Sequence, residues 1–213
     1  MSTLLETTLR RHPSVYLTED QLAHLLGGTP HSRYARLKRA VKKGLLVRVK
    51  RGLYYLNEEL AFMRPHSFEL AQFIYGPSYI SLESALSYHH LIPEAVYSIT
   101  SVSLKRNHLF KTPLGEFRYS RLPTENFFIG VTLVQEGRYR FFMASPWKAI
   151  LDYIYCYKKD WDNLSLFHDS LRVEWEDLPV ISREKLDQFK CFYHSRRIDK
   201  FIRNVPKEFI DEH

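Results

Sequence analysis

The 213-residue sequence predicts an α+β protein in two parts. Residues 1–57 form a small basic domain of helices and one hairpin; residues 65–213 form a larger domain, an antiparallel sheet flanked by helices. Three observations carry this expectation. Up to Gly44 the apolar residues recur at three- and four-residue spacings, as on helices. Between Leu45 and Leu56 two short apolar runs enclose Lys50-Arg51-Gly52. From Ala95 to Met143 the spacing falls to two, among β-branched and aromatic residues, and helical spacing resumes after Ser145. With 45% hydrophobic and 15% aromatic residues the chain can bury a core, and nothing in its composition points to disorder.

Each element of the first domain has its own signal. Leu4, Leu5, Thr8 and Leu9 fall at helical spacing, and His12-Pro13 ends that helix. Thr18-Glu19-Asp20-Gln21 reads as an N-cap, two acids in the first turn and a capping-box glutamine, followed by the apolar stripe Leu22, Leu25 and Leu26. Gly27-Gly28 stops that helix. Thr29 caps and Pro30 opens a third helix, whose Tyr34, Leu37 and Val41 form the edge expected to be buried. Gly44 ends it. Leu45–Val49 and Leu53–Leu56 are strands around a tight turn in which Gly52 supplies the positive φ. Helix, helix, turn, basic helix and basic-tipped hairpin is the order of a winged helix-turn-helix.

The charge of +7 sits almost entirely in this region. Between Thr29 and Leu56 there are nine Lys or Arg and no Asp or Glu; without those nine, 22 basic residues face 24 acidic ones in the whole chain. Like charges on one short helix repel, whereas an ordinary solvated face mixes signs to gain i,i+4 pairs, so the run points to a polyanion. A third helix entering the major groove would present its N-terminal residues to base edges, which makes Ser32, Arg33 and Arg36 the candidate readers, with His31 beside them. Arg39, Lys43, Arg48, Lys50 and Arg51 are the candidates for phosphate, which holds register without reading sequence. Docking of a protein, or RNA in place of DNA, are the other uses open to such a domain.

In the second domain, Phe68, Ala71, Gln72 and Tyr75 predict a helix that stops at Gly76-Pro77, after a linker at Arg64-Pro65-His66-Ser67. Ser81–His90 is another helix; Ser81, Ser84 and Ser87 on it suit close packing. Strands are expected at Val96–Ser103, Leu109–Lys111, Glu116–Arg121, Phe127–Leu133 and Tyr139–Met143, the last with Arg140 and Phe142 facing away from Tyr139 and Phe141. Ser145-Pro146 starts a helix with Ala149, Ile150, Tyr153 and Ile154 inward, and mainly helices follow Asp160. Most of the aromatic residues, Trp161 and Trp175 among them, are expected in the core.

Neither catalysis nor a cofactor is predicted. Glu83 and His89 lie six residues apart on one helix, about 120° around it from each other, too far for a shared ligand. Cys191-x-x-His194 has no second pair to complete a zinc site. No glycine-rich phosphate loop and no nucleophile elbow occurs. Two cysteines fit a reducing compartment, and the absence of an apolar leader or of a run long enough to span a bilayer predicts a cytoplasmic protein without a membrane partner.

Several stretches taken in order resemble the AbiEi-type antitoxins: Tyr79–His89, Leu91-Ile92-Pro93-Glu94, Ile99–Val102, Thr112–Phe117 and Ala144–Ala149, behind a basic winged helix. The resemblance runs from about Leu17 to Tyr157; His90 departs from it, standing where a small residue is usual. It implies the antitoxin half of a type IV, abortive-infection toxin–antitoxin pair. The winged helix would bind double-stranded DNA, the inverted repeats of its own operon's promoter. The second domain would counteract a cognate nucleotidyltransferase-type toxin, by contact or functionally. Two copies would meet on the repeat, from a monomer in solution. The alternative is a stand-alone winged-helix regulator without a toxin, its second domain binding another partner or ligand.

Overall fold

Thr18 and Gln21 set the start of the first helix described over its whole length. The Gln21 N–H donates to Thr18 Oγ1 at 3.3 Å and the Thr18 N–H donates to Gln21 Oε1 at 2.9 Å, so two otherwise orphaned donors are satisfied reciprocally. In the computed structural model, which describes residues 6, 7, 9, 14–58, 60, 61, 63–93, 96–173 and 178–211, this helix is α1 (Glu19–Leu26). The expected helix around Leu4, Leu5 and Thr8, its stop at His12-Pro13, and Trp175 lie outside the described residues; Leu9 is helical and buried. Gly28 turns the chain at φ 78°, and a Cβ there would stand 2.8 Å from Ser32 Oγ. Thr29 caps α2 (Pro30–Lys42), accepting from the Ser32 N–H at 3.3 Å.

The hairpin follows as β2 (Leu46–Lys50) and β3 (Leu53–Leu56), and β1 (Tyr16–Thr18) adds to the far side of β3, giving an antiparallel sheet in the order β1-β3-β2. Gly52 has φ 79°, as the turn requires, and its carbonyl accepts from the Glu19 N–H at 3.0 Å, which ties the hairpin tip to the start of α1. Leu22, Leu26, Ala40, Leu46, Leu53 and Leu56 close the core of this unit. Tyr34 differs from expectation. It is 67% exposed, and the inward face of α2 is Ala40 with Leu37 and Val41 half-buried beside it. At 100° per residue, Tyr34 lies just past Val41, on the rim of the buried arc.

The second unit is a six-stranded sheet with helices packed on it. In chain order it comprises α3 (Ser67–Tyr75), β4 (Ser78–Ile80), α4 (Leu82–Tyr88), β5 (Ser98–Ser103), β6 (His108–Thr112), β7 (Gly115–Arg121), β8 (Val131–Glu136), β9 (Tyr139–Ala144) and α5 (Pro146–Cys156). Then come α6 (Leu164–Leu171), β10 (Ile181–Ser182), α7 (Arg183–Tyr193), α8 (Arg196–Arg203) and β11 (Ile210–Asp211), the two short strands pairing parallel. The large sheet has the order β6-β7-β5-β4-β9-β8. It is mixed, which corrects the expected antiparallel sheet. The hairpins β6–β7 and β8–β9 and the pair β4–β5 are antiparallel, but β5 runs parallel to β7 and β4 parallel to β9. The parallel β5–β7 pair arises because β7 inserts between β5 and its own hairpin partner β6, so that β5 and β6, consecutive in the chain, are not neighbours in the sheet. A second correction concerns Phe127–Leu133: the strand begins at Val131, and Phe127 and Phe128 lie in the preceding turn. On β9, Tyr139 and Phe141 point inward while Arg140 and Phe142 are exposed, as strand alternation requires.

The segment expected to be a linker is fastened on both sides. The His66 N–H donates to the Tyr16 hydroxyl at 2.8 Å, that hydroxyl lies 3.1 Å from the His66 carbonyl, and Tyr139 donates to the Arg64 carbonyl at 2.8 Å. The His66 ring stacks on Tyr139 and Phe141, at 4.8 and 5.2 Å between centroids. Tyr16 meets Phe73 of α3 at 4.8 Å. Among the described residues no helix is long and apolar enough to cross a membrane.

Candidate nucleic-acid interface

Helix α2 has no acidic residue, and its outward side follows from what it buries. With Ala40 at the centre of the inward arc, His31, Ala35, Lys38, Arg39 and Lys42 fall within an arc of about 100° on the opposite side. All but half-buried Ala35 are exposed. Three cations therefore project side by side from the middle and last turns of the helix, without a carboxylate on the same element to neutralise them. Lys43 is exposed at the helix end, where its N–H donates to the Arg39 carbonyl at 2.9 Å. Arg51 is exposed at the hairpin tip, and Arg48 is exposed on β2, its Nε donating to the Lys50 carbonyl at 3.4 Å.

The residues expected to read bases make contacts within the domain. Ser32 donates its hydroxyl to the Thr29 carbonyl at 3.0 Å. Arg33 is half-buried against α1; its Nε is buried without a hydrogen-bond partner among the described residues, in a small groove that it shares with Glu19 and Leu22. Arg36, although exposed, donates to the Leu26 carbonyl and so caps the C-terminus of α1. Arg39 lies along the helix, Nε to the Ala35 carbonyl at 3.3 Å. Lys38, Lys42 and Tyr34 complete the outward face. The signal for them was the small Ala40, which marks the inward direction more reliably than the larger Tyr34.

Lys50 is not a free cation at the hairpin tip. Its ammonium donates to the Ile74 carbonyl at the end of α3, where the helix dipole is negative, and lies 5.5 Å from the centroid of Phe110. Burial and the nearby charge of Lys105 push its pKa below the ordinary lysine value. Lys50 thus joins the hairpin to the second unit.

In the second unit Tyr79 and Ser81 of one motif and Lys148 of another meet Asp152 and Tyr193 in one buried cluster. Lys148 Nζ donates to Asp152 Oδ1 at 2.6 Å and to the hydroxyls of Tyr79 and Tyr193 at 2.9 Å each. Ser81 donates to Asp152 Oδ2 at 2.7 Å, Tyr79 to the same oxygen at 3.0 Å and Tyr193 to Oδ1 at 2.7 Å. Lys148 and Asp152 are both 0% exposed. Burial pulls the lysine down against the opposing pull of Asp152, and raises Tyr79 and Tyr193 well above the usual tyrosine value. A cluster closed to solvent fixes α5 and α7 on the sheet and presents nothing to a substrate.

Glu83 and His89 do not meet. Glu83 accepts from Tyr157 at 3.1 Å, whereas His89 donates from Nε2 to the Ala144 carbonyl at 2.8 Å. Among the described residues no three His, Cys, Asp or Glu side chains group as metal ligands would; Cys191 is exposed.

Residues 9–57 match the family described as "Transcriptional regulator, AbiEi antitoxin". The match covers α1, α2 and the hairpin; the motifs in the second unit lie beyond it. A search of curated proteins finds no match. The exposed cationic helix and hairpin just described thus lie in a region similar to that of AbiEi-type antitoxin transcriptional regulators.

Proposed function

We propose that residues 1–57 are a winged helix-turn-helix domain with which the chain represses its own operon, and that residues 65–213 counteract a nucleotidyltransferase-type toxin encoded beside it. The protein acts in the cytoplasm, without catalysis of its own. The observation that carries the DNA half is the acid-free outward face of α2, Lys38, Arg39 and Lys42, with Lys43, Arg48 and Arg51 around it. Cations placed side by side with no carboxylate between them repel one another, and a phosphate backbone relieves that cost by releasing its condensed counterions. On this arrangement α2 lies in the major groove, and Lys38, Arg39 and Lys42 along it, with Lys43, Arg48 and Arg51 around it, hold the phosphates at its edges. Ser32 supports the start of α2, while Arg33 packs against α1 and Arg36 caps its end. Two copies on an inverted repeat supply the length of contact that one short helix lacks.

The test is a mobility-shift titration on the DNA upstream of the chain's own gene, with scrambled DNA as competitor. A competitor-resistant shift is expected; equal affinity for scrambled DNA would sink autoregulation. Co-expression with the neighbouring gene tests the antitoxin half: growth arrest by that gene alone, relieved by this chain, is expected.

A further inference from the structure

Helix α2 carries one large ring where water reaches it. Tyr34 is 67% exposed, on the side of the helix that faces the hairpin. Lys38 lies one turn further along, and Arg48 and Tyr54 stand across an open groove of about 250 Å³ floored by Leu37 and Val41. Among the described residues no Asp or Glu lines this groove. The setting differs from that of an isolated surface tyrosine: a ring, an apolar floor and two cations share one cleft between the two elements that would straddle a duplex.

A duplex held there by phosphate contacts at Lys38 and Arg48 would bring the ring against the base edges of the major groove. The one apolar group exposed in that groove is the C5-methyl of thymine. We propose that Tyr34 is a specificity-determining residue that packs its ring on a thymine methyl group. The inference rests on the DNA reading above and adds to it a residue and the chemical group that residue recognises.

The experiment uses the full chain and the upstream DNA segment that it protects in a footprint, prepared with thymine and again with uracil in place of each thymine, which removes the methyl groups alone. Wild type should bind the uracil duplex about fourfold more weakly for each methyl contacted. Tyr34→Ala should bind both duplexes equally, at about the wild-type affinity for uracil DNA or below it. Tyr34→Phe should keep the wild-type preference for thymine, and Lys38→Ala should weaken both duplexes by one factor. The proposal is overturned if Tyr34→Ala still distinguishes the duplexes as wild type does, or if Tyr34→Phe loses the preference, since the hydroxyl would then be the contact. Because Tyr34 lies outside the core, thermal melts of the variants should match wild type; a lowered melt in Tyr34→Ala would give the ring a structural role instead. Wild type that shows no preference for the upstream DNA over scrambled DNA overturns the operator reading itself, whereas a clear preference without coupling between Tyr34 and the methyl overturns only this inference.

Discussion

Asp152 shows at single-residue scale how the second unit is held. Its carboxylate takes four hydrogen bonds, from Lys148, Tyr79, Ser81 and Tyr193, in a place that water does not reach. Removing one partner of such a pair leaves the other charge buried alone, which costs about 3–5 kcal/mol. Asp152→Ala should therefore lower the free energy of unfolding by about that amount in urea denaturation, while Lys190→Ala, which breaks an exposed pair with Asp187, should change it by under about 1 kcal/mol. Similar losses from the two variants would mean that Lys148 finds other partners. His89 gives a second prediction. Its Nε2–H donates to the Ala144 carbonyl, and burial lowers its pKa below the ordinary 6.5. The unfolded chain then binds the proton first, so stability contributed by neutral His89 is fully present above about pH 6.5 and is lost as pH falls through the lower folded value. His89→Gln should flatten the fall in melting temperature below that pH; an unchanged slope would assign the pH dependence to other groups.

At the scale of elements, the helix starts are local and the sheet is not. Thr18 with Gln21, Thr29 with Pro30, and Ser145 with Pro146 each announce a helix within four residues, and all three caps form as read. Helix α4 is the exception. Ser81 stands at its N-cap, but its hydroxyl is committed to Asp152, and Thr100 of β5 does the capping instead, accepting from the Ser84 N–H at 2.9 Å and donating to the Ser81 carbonyl at 2.8 Å. Thr100→Val keeps the shape and removes both bonds; a loss of about 1–2 kcal/mol in urea denaturation is expected. A neutral result would mean that the serines alone start α4. No local pattern carries this contact, because it joins residues sixteen and nineteen apart in the chain. Strand neighbours escaped the sequence for the same reason: alternation located β5, β6, β7 and β9, but the insertion of β7 beside β5 depends on the whole sheet. On α2 the basic run was plain, whereas the direction of each side chain was not. Tyr34 and Val41 both look apolar in the sequence, yet only the packing of Ala40 against its neighbours decides which of them faces water.

At the scale of the molecule, the question is which cations remain for DNA once the two units are joined. Of the eight residues expected at the interface, Lys50 now bridges the hairpin to Ile74, and Arg36 caps α1. Cations that meet phosphate register in the salt dependence of binding, about 0.9 in log–log slope for each phosphate neutralised, and cations that hold the protein together do not. Neutralising about five phosphates gives a slope of roughly −4 to −5. If Lys38, Arg39 and Lys42 form the contact face, replacing all three with Ala should flatten the slope by about three units. Lys50→Met should leave the slope within about half a unit of wild type and act on stability, because it strips the Ile74 carbonyl of its charged partner. Fluorescence anisotropy on the upstream duplex across a range of salt concentrations reads both. A full unit lost in Lys50→Met would show that its ammonium leaves Ile74 for a phosphate, and the contact between hairpin and α3 would then have to open when DNA binds.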